Sequence, residues 1–97
     1  MFSIGDTVEY TGKPYGKFTV VSIQAGKAEC DFPVLGLVDS SGIFIYENAN
    51  FLYFVEKGTE ETKLSALKNM FFRYIKIGRD DLAERMLKDN PEFIELL

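Results

Sequence analysis

The sequence predicts an α+β domain in which five short strands are followed by a helical hairpin. Three observations carry that expectation. Residues 4–55 are short runs of Val, Ile, Thr, Phe and Tyr, broken at close intervals by Gly, Pro and an Asp-Ser-Ser-Gly cluster. After Gly58 the apolar residues recur at spacings of three and four, the period of a helix lying on a core. The chain of 97 residues is 46% hydrophobic and 27% charged, enough apolar surface for one core and no more. A single domain over 1–97 is therefore expected, with strands over 4–55 and a helical subdomain over 59–97.

Gly5-Asp6 turns the chain into a first strand, Asp6 to Tyr10, with Val8 and Tyr10 on one face and Thr7 and Glu9 on the other. Gly12 to Gly16 with Pro14 is a compact connection to a second strand, Lys17 to Ile23. There Phe18 and Val20 share a face, whereas Val21 and Ile23 share the opposite one. A bulge at Val20-Val21, or cover on both sides, accounts for that slip of phase. Ala25-Gly26-Lys27 reads as a hairpin turn into Ala28 to Phe32 and Leu35 to Asp39, two strand halves separated by Pro33, which cannot donate to a ladder. Asp39-Ser40-Ser41-Gly42 is turn chemistry, Ile43 to Tyr46 is extended, and Glu47 to Asn50 is one helical turn. Phe51 to Val55 is apolar at every position, so the expectation is a strand sandwiched between the sheet and the helices.

Thr59 is a good N-cap, with Glu60 and Glu61 favourably placed in the first turn of a helix running to about Ile77. Leu64, Leu67, Met70, Phe71, Tyr74, Ile75 and Ile77 form its core-facing stripe. Gly78 stops it, and Asp80 or Asp81 caps a second helix to about Lys88, with Leu82, Ala83, Met86 and Leu87 inward. Asn90-Pro91 opens a last short helix whose Phe93, Ile94 and Leu97 seal the bundle. Gly78 to Leu87 resembles the helical half of an ankyrin repeat, but one such unit cannot stack and is read as an ordinary helix pair.

Gly5-Asp6-x-Val8-x-Tyr10-x-Gly12, followed by Gly16-Lys17-x-x-Val20-Val21-x-Ile23, is similar to the opening of KOW and Tudor-type members of the SH3-like small-barrel superfold. The resemblance covers residues 2–55 and implies a five-stranded SH3-like β-barrel with the helical hairpin packed on it. It also implies a binding role, toward RNA, polymerase, methylated side chains or proline-rich peptides. The aromatic opening motif of peptide-binding SH3 domains is absent. Fold-level likeness of this kind bears on architecture far more than on function.

Catalysis is not expected. The chain has no His and one Cys, Cys30, flanked by Glu29 and Asp31, which raise rather than lower a thiol pKa. That removes the commonest general base, Ser-His-Asp chemistry and zinc coordination, so no catalytic residue, metal or cofactor is expected, and no phosphate loop or GxSxG occurs. Glu29 and Asp31 on one strand face read as a solvated surface, because an acid/base pair needs environments that drive two pKa values apart. No apolar run approaches the ~20 residues of a membrane span, and the N-terminus lacks a basic start leading into an apolar stretch, which points to a cytoplasmic protein.

A non-catalytic protein-interaction module is the function expected, of the small accessory or inhibitor kind found in bacteria and phages. Phe72 lies opposite the helix's apolar stripe, with Lys68 and Lys76 one turn to either side, and Arg79 close by. An exposed aromatic flanked by cations suits an acidic protein partner. A second surface is the loop Thr11 to Lys17, where Tyr10, Tyr15 and Phe18 cluster near Glu9 and can hold a cation by ring-face attraction. The alternative is nucleic-acid or transcription-complex binding through Lys63, Lys68, Arg73, Lys76 and Arg79, a run with no acid inside it. Against it, residues 1–55 carry Lys13, Lys17 and Lys27 beside Asp6, Glu9, Glu29, Asp31, Asp39 and Glu47, and the formal charge is -4.

Overall fold

β-Branched and aromatic runs become strands where tight turns allow the chain to double back, and the computed structural model, which describes residues 2–25, 32–91 and 93, places five of them. These are β1 (Thr7–Tyr10), β2 (Lys17–Gln24), β3 (Val34–Asp39), β4 (Phe44–Asn48) and, after a 3-10 turn over Ala49–Phe51, β5 (Leu52–Glu56). Helices α1 (Glu60–Lys76) and α2 (Asp80–Asp89) follow. Residues 26–31, which hold most of the expected turn and of the strand half Ala28 to Phe32, lie outside the described residues, and Phe32 itself is exposed and not in a strand. No described helix is long and apolar enough to cross a membrane.

All pairings are antiparallel, in the order β4-β3-β2-β1-β5, so the protein is α+β with one five-stranded sheet and two helices. The closed barrel expected from the sequence is not seen. Among the described residues β4 and β5 remain the two edges of the sheet, with no ladder joining them. The anticipated bulge is present: β2 advances from Val20 to Ser22 while β3 steps only from Leu37 to Gly36. Ile23 consequently returns opposite Leu35 instead of following Val21.

That bulge divides the apolar residues between two clusters. Val8, Phe18, Val20, Leu35, Leu37, Ala49 and Leu52 form the first, with Phe2, Tyr10 and Ile45 around it. Side chains from both edges meet those from the centre, so the sheet is curled and this face is concave. Val21 and Val38 project from the other face into the second cluster, where α1 and α2 supply Ala66, Leu67, Met70 and Met86, and Phe93 is fully buried. Deleting a ring so enclosed costs about 3–5 kcal/mol.

Helix α1 packs on β2 and β3, towards the centre of the sheet, and α2 packs on α1. This corrects the expectation that Phe51 to Val55 is sandwiched: Leu52 is buried, but Phe51, Tyr53 and Phe54 are each about half-exposed on the edge. Ile75 and Ile77 also depart from the expected stripe and stay exposed. Ile75 lies about 140° around the helix from Met70 and on the side opposite Ala66, and Ile77 is the C-cap.

Local chemistry fixes where α1 starts and stops. The Thr62 N–H donates to Thr59 Oγ1 and the Thr59 N–H donates to Thr62 Oγ1, a reciprocal cap, and the Thr62 hydroxyl reaches the Gly5 carbonyl at 2.8 Å. Asp6, only 3% exposed, accepts from the Ser3 and Gly58 N–H groups and so ties the N-terminal turn to the β5–α1 junction. At the far end the Arg79 N–H bonds Tyr74 O and the Gly78 N–H bonds Ile75 O, with Gly78 at φ 79°. Helix α2 begins without the aspartate cap expected: its N-cap is Arg79, which makes no side-chain capping bond, and Asp80 and Asp81 lie in the first turn. Ile94 and Leu97 are outside the described residues.

Candidate functional site

The turn between β3 and β4 and the loop between β1 and β2 each build a depression from residues far apart in sequence. At the first, Asp39 Oδ1 accepts from the Ser41 and Ile43 N–H groups, closing the turn. Gly42, at φ 87°, sits against the α1 backbone at Asn69, where a Cβ would collide with the Asn69 carbonyl. Ser40, Ser41, Asn69, Phe72, Arg73 and Lys76 then line a depression of about 400 Å³.

At the second, the Thr11 N–H donates to Phe51 O at 2.9 Å, holding the β1–β2 loop beside the 3-10 turn. Tyr10, Thr11, Lys13, Tyr15, Glu47 and Phe51 line a depression of about 300 Å³. Tyr10 and Tyr15 meet edge-to-face at 5.1 Å, and Tyr10 and Phe18 do so at 5.6 Å. The Tyr10 hydroxyl donates to Glu47 Oε2 at 2.8 Å, while Glu47 Oε1 accepts from the Asn48 N–H. That contact joins the end of β1 to the end of β4 across the concave face. Burial, the bond to Glu47 and the Glu47 charge push the Tyr10 phenol up to about 12.

The cluster foreseen at Tyr10, Tyr15 and Phe18 thus exists, with two changes. Phe18 is buried in the core behind Tyr10, and the third ring of the depression is Phe51. The acid at the site is Glu47, because Glu9 sits opposite Lys17 and Tyr53 in the ladders, away from the Val8–Tyr10 face. Phe51 was open to detection: it ends the Asn48-Ala49-Asn50 turn and precedes Leu52, the register partner of Tyr10.

On α1, Lys68, Phe72 and Lys76 are all exposed, and Phe72 is 50% accessible. Its ring is steadied edge-on against Phe71 at 5.7 Å, which in turn meets Phe93 at 5.5 Å. Arg79 does not join this strip as a free cation. Its Nε and one terminal nitrogen each lie 3.2 Å from an Asp81 oxygen, an exposed pairing that raises the guanidinium pKa and lowers that of Asp81. Lys63 faces Glu60 at 3.8 Å.

A third depression, about 500 Å³ between α1 and the sheet, carries Lys17 with Asp39 and Glu61 among hydroxyl groups and has no aromatic ring. Among the described residues no group of three or more His, Cys, Asp or Glu is placed to hold a metal ion. The chain matches no protein-family model, no curated protein and no solved structure.

Proposed function

We propose that the protein is a non-catalytic interaction module that grips a segment of a protein partner at the aromatic pocket of Tyr10, Tyr15 and Phe51. One observation carries the reading: Tyr15 and Phe51 are 60% and 55% exposed yet converge with Tyr10 on a single depression beside a fixed carboxylate. Rigid aromatic side chains offer large contact area at low entropy cost and are the residues on which interfaces concentrate their binding energy. Glu47 and Lys13 give the rim one acceptor and one donor for a peptide backbone or polar side chain. The strand order, with β1 paired to both β2 and β5 and a 3-10 turn before β5, supports the SH3-like small-barrel reading as the scaffold for such a pocket.

The nucleic-acid alternative draws less support. Of the basic run along α1, Lys63 and Arg79 face carboxylates, leaving too few unpaired cations for the phosphate contacts that dominate such affinity. Affinity capture with the wild type, Tyr15→Ser/Phe51→Ser and Phe72→Glu tests the proposal. A partner recovered by the wild type and by Phe72→Glu but lost with the double variant is the expected result. Recovery unchanged by the double variant contradicts it.

A further inference from the structure

The depression between the β3–β4 turn and α1 has a composition at odds with the rest of this acidic chain. Arg73 and Lys76 bring two cations to it, Ser40 and Ser41 two hydroxyls, Asn69 an amide and Phe72 an exposed ring, and no carboxylate lines it. Asp39, next in the chain, turns Oδ1 to the Ser41 and Ile43 N–H groups instead. Neither Arg73 nor Lys76 pairs with a carboxylate among the described residues, although the sequence holds 15 acids to 11 bases.

Cations in the last turn of a helix are ordinarily explained by its negative end. Here the Ile77, Gly78 and Arg79 N–H groups already satisfy the carbonyls of Arg73, Ile75 and Tyr74, so the two cations are not needed as caps. Their spacing of three makes them neighbours on the helix surface, where like charges repel until an anion bridges them. A guanidinium fork with an ammonium beside it suits a phosphate bidentately, and hydroxyl and amide donors suit its remaining oxygens. The Phe72 face, braced by Phe71, offers a stacking surface of the kind nucleobases use.

We infer that this depression is a binding site for a phosphate monoester that carries an aromatic ring, a ligand of the nucleoside monophosphate class. The phosphate lies on Arg73 and Lys76 and the ring lies on Phe72. At about 400 Å³ the space is of the size that small ligands occupy.

The test is an amide chemical-shift titration of the full, isotope-labelled chain with adenosine monophosphate, adenosine, inorganic phosphate and a short 5′-phosphorylated single strand. Saturable shifts with adenosine monophosphate at residues 40–42 and 69–76, weaker binding of phosphate or adenosine alone, and affinity falling with salt are expected. Arg73→Gln should weaken binding roughly tenfold, Arg73→Lys should restore part of it, and Phe72→Ala should remove the advantage over inorganic phosphate. Comparable shifts with the 5′-phosphorylated strand place the ligand at a nucleic-acid end; a clear preference for the mononucleotide makes it a free metabolite. No saturable shift, binding indifferent to Arg73→Gln in a folded variant, or phosphate bound as tightly as the nucleotide would each overturn the inference.

Discussion

The aromatic pocket and the basic pocket are built by different means. The first is made within the sheet and its connections: the β1–β2 loop and the 3-10 turn meet where the end of β1 faces the end of β4, and Tyr10 bonds Glu47 across the gap. The second exists only where a helix meets a turn, with Gly42 seated against the α1 backbone at Asn69. One is lined by three rings with one acid and one base, the other by two bases and one ring. The two surfaces differ in chemistry and support and share no lining residue.

The sharpest way to break the pairing is Gly42→Ala. It forces an L-residue into left-handed backbone and drives a methyl into the Asn69 carbonyl, so a loss of about 2–4 kcal/mol in chemical denaturation is expected. Amide shifts should move across the turn and α1 and stay in place around Tyr15 and Phe51. Shifts that spread equally to both pockets would show that the two are not independently supported.

A smaller effect follows from pH. The Tyr10 phenol ionises at higher pH folded than unfolded, so the folded state holds the extra proton between the ordinary 10.0 and about 12. Its contribution is complete below pH 10.0 and is lost as pH rises toward about 12. Tyr10→Phe should remove this part of the alkaline decline in stability, as read by denaturation midpoints over that range. Because burial is the largest cause and remains in Glu47→Gln, that variant should lower the phenol pKa without returning it to 10.0. The smallest effects belong to the exposed rings themselves. Tyr15→Ser and Phe72→Ala should each change stability by only about 0.5 kcal/mol, since half-exposed side chains contribute little to the core. A loss several times larger at either would mark it as part of the core and not of a binding surface.

Local rules were legible in the sequence because they act over a few residues. The Val20-Val21 slip of phase announced the bulge, Thr59 its cap and Gly78 its helix stop. What depends on packing across the chain was not. Phe51 to Val55 reads as a buried strand because period alone records that residues are apolar, not which element covers them, and α1 settled over β2 and β3. Likewise nothing within Glu9-Tyr10 tells which carboxylate the phenol will meet. That Glu47 and not Glu9 takes the bond depends on the curvature of the sheet, the partners being 37 positions apart in sequence. The Lys68-Phe72-Lys76 strip was visible from helical spacing, whereas the part played by Ser40 and Ser41 required the docked turn.

The claim on which the rest depends is that the curled sheet presses Tyr10 against Glu47 and thereby forms the aromatic pocket. Spectroscopic titration of the tyrosines in the wild type and in Tyr10→Phe tests it directly. One phenol ionising at about 12, absent from the Tyr10→Phe curve, is the predicted result. If the two curves differ instead by a phenol ionising at the ordinary 10.0, the contact does not form and the pocket built around it falls with it.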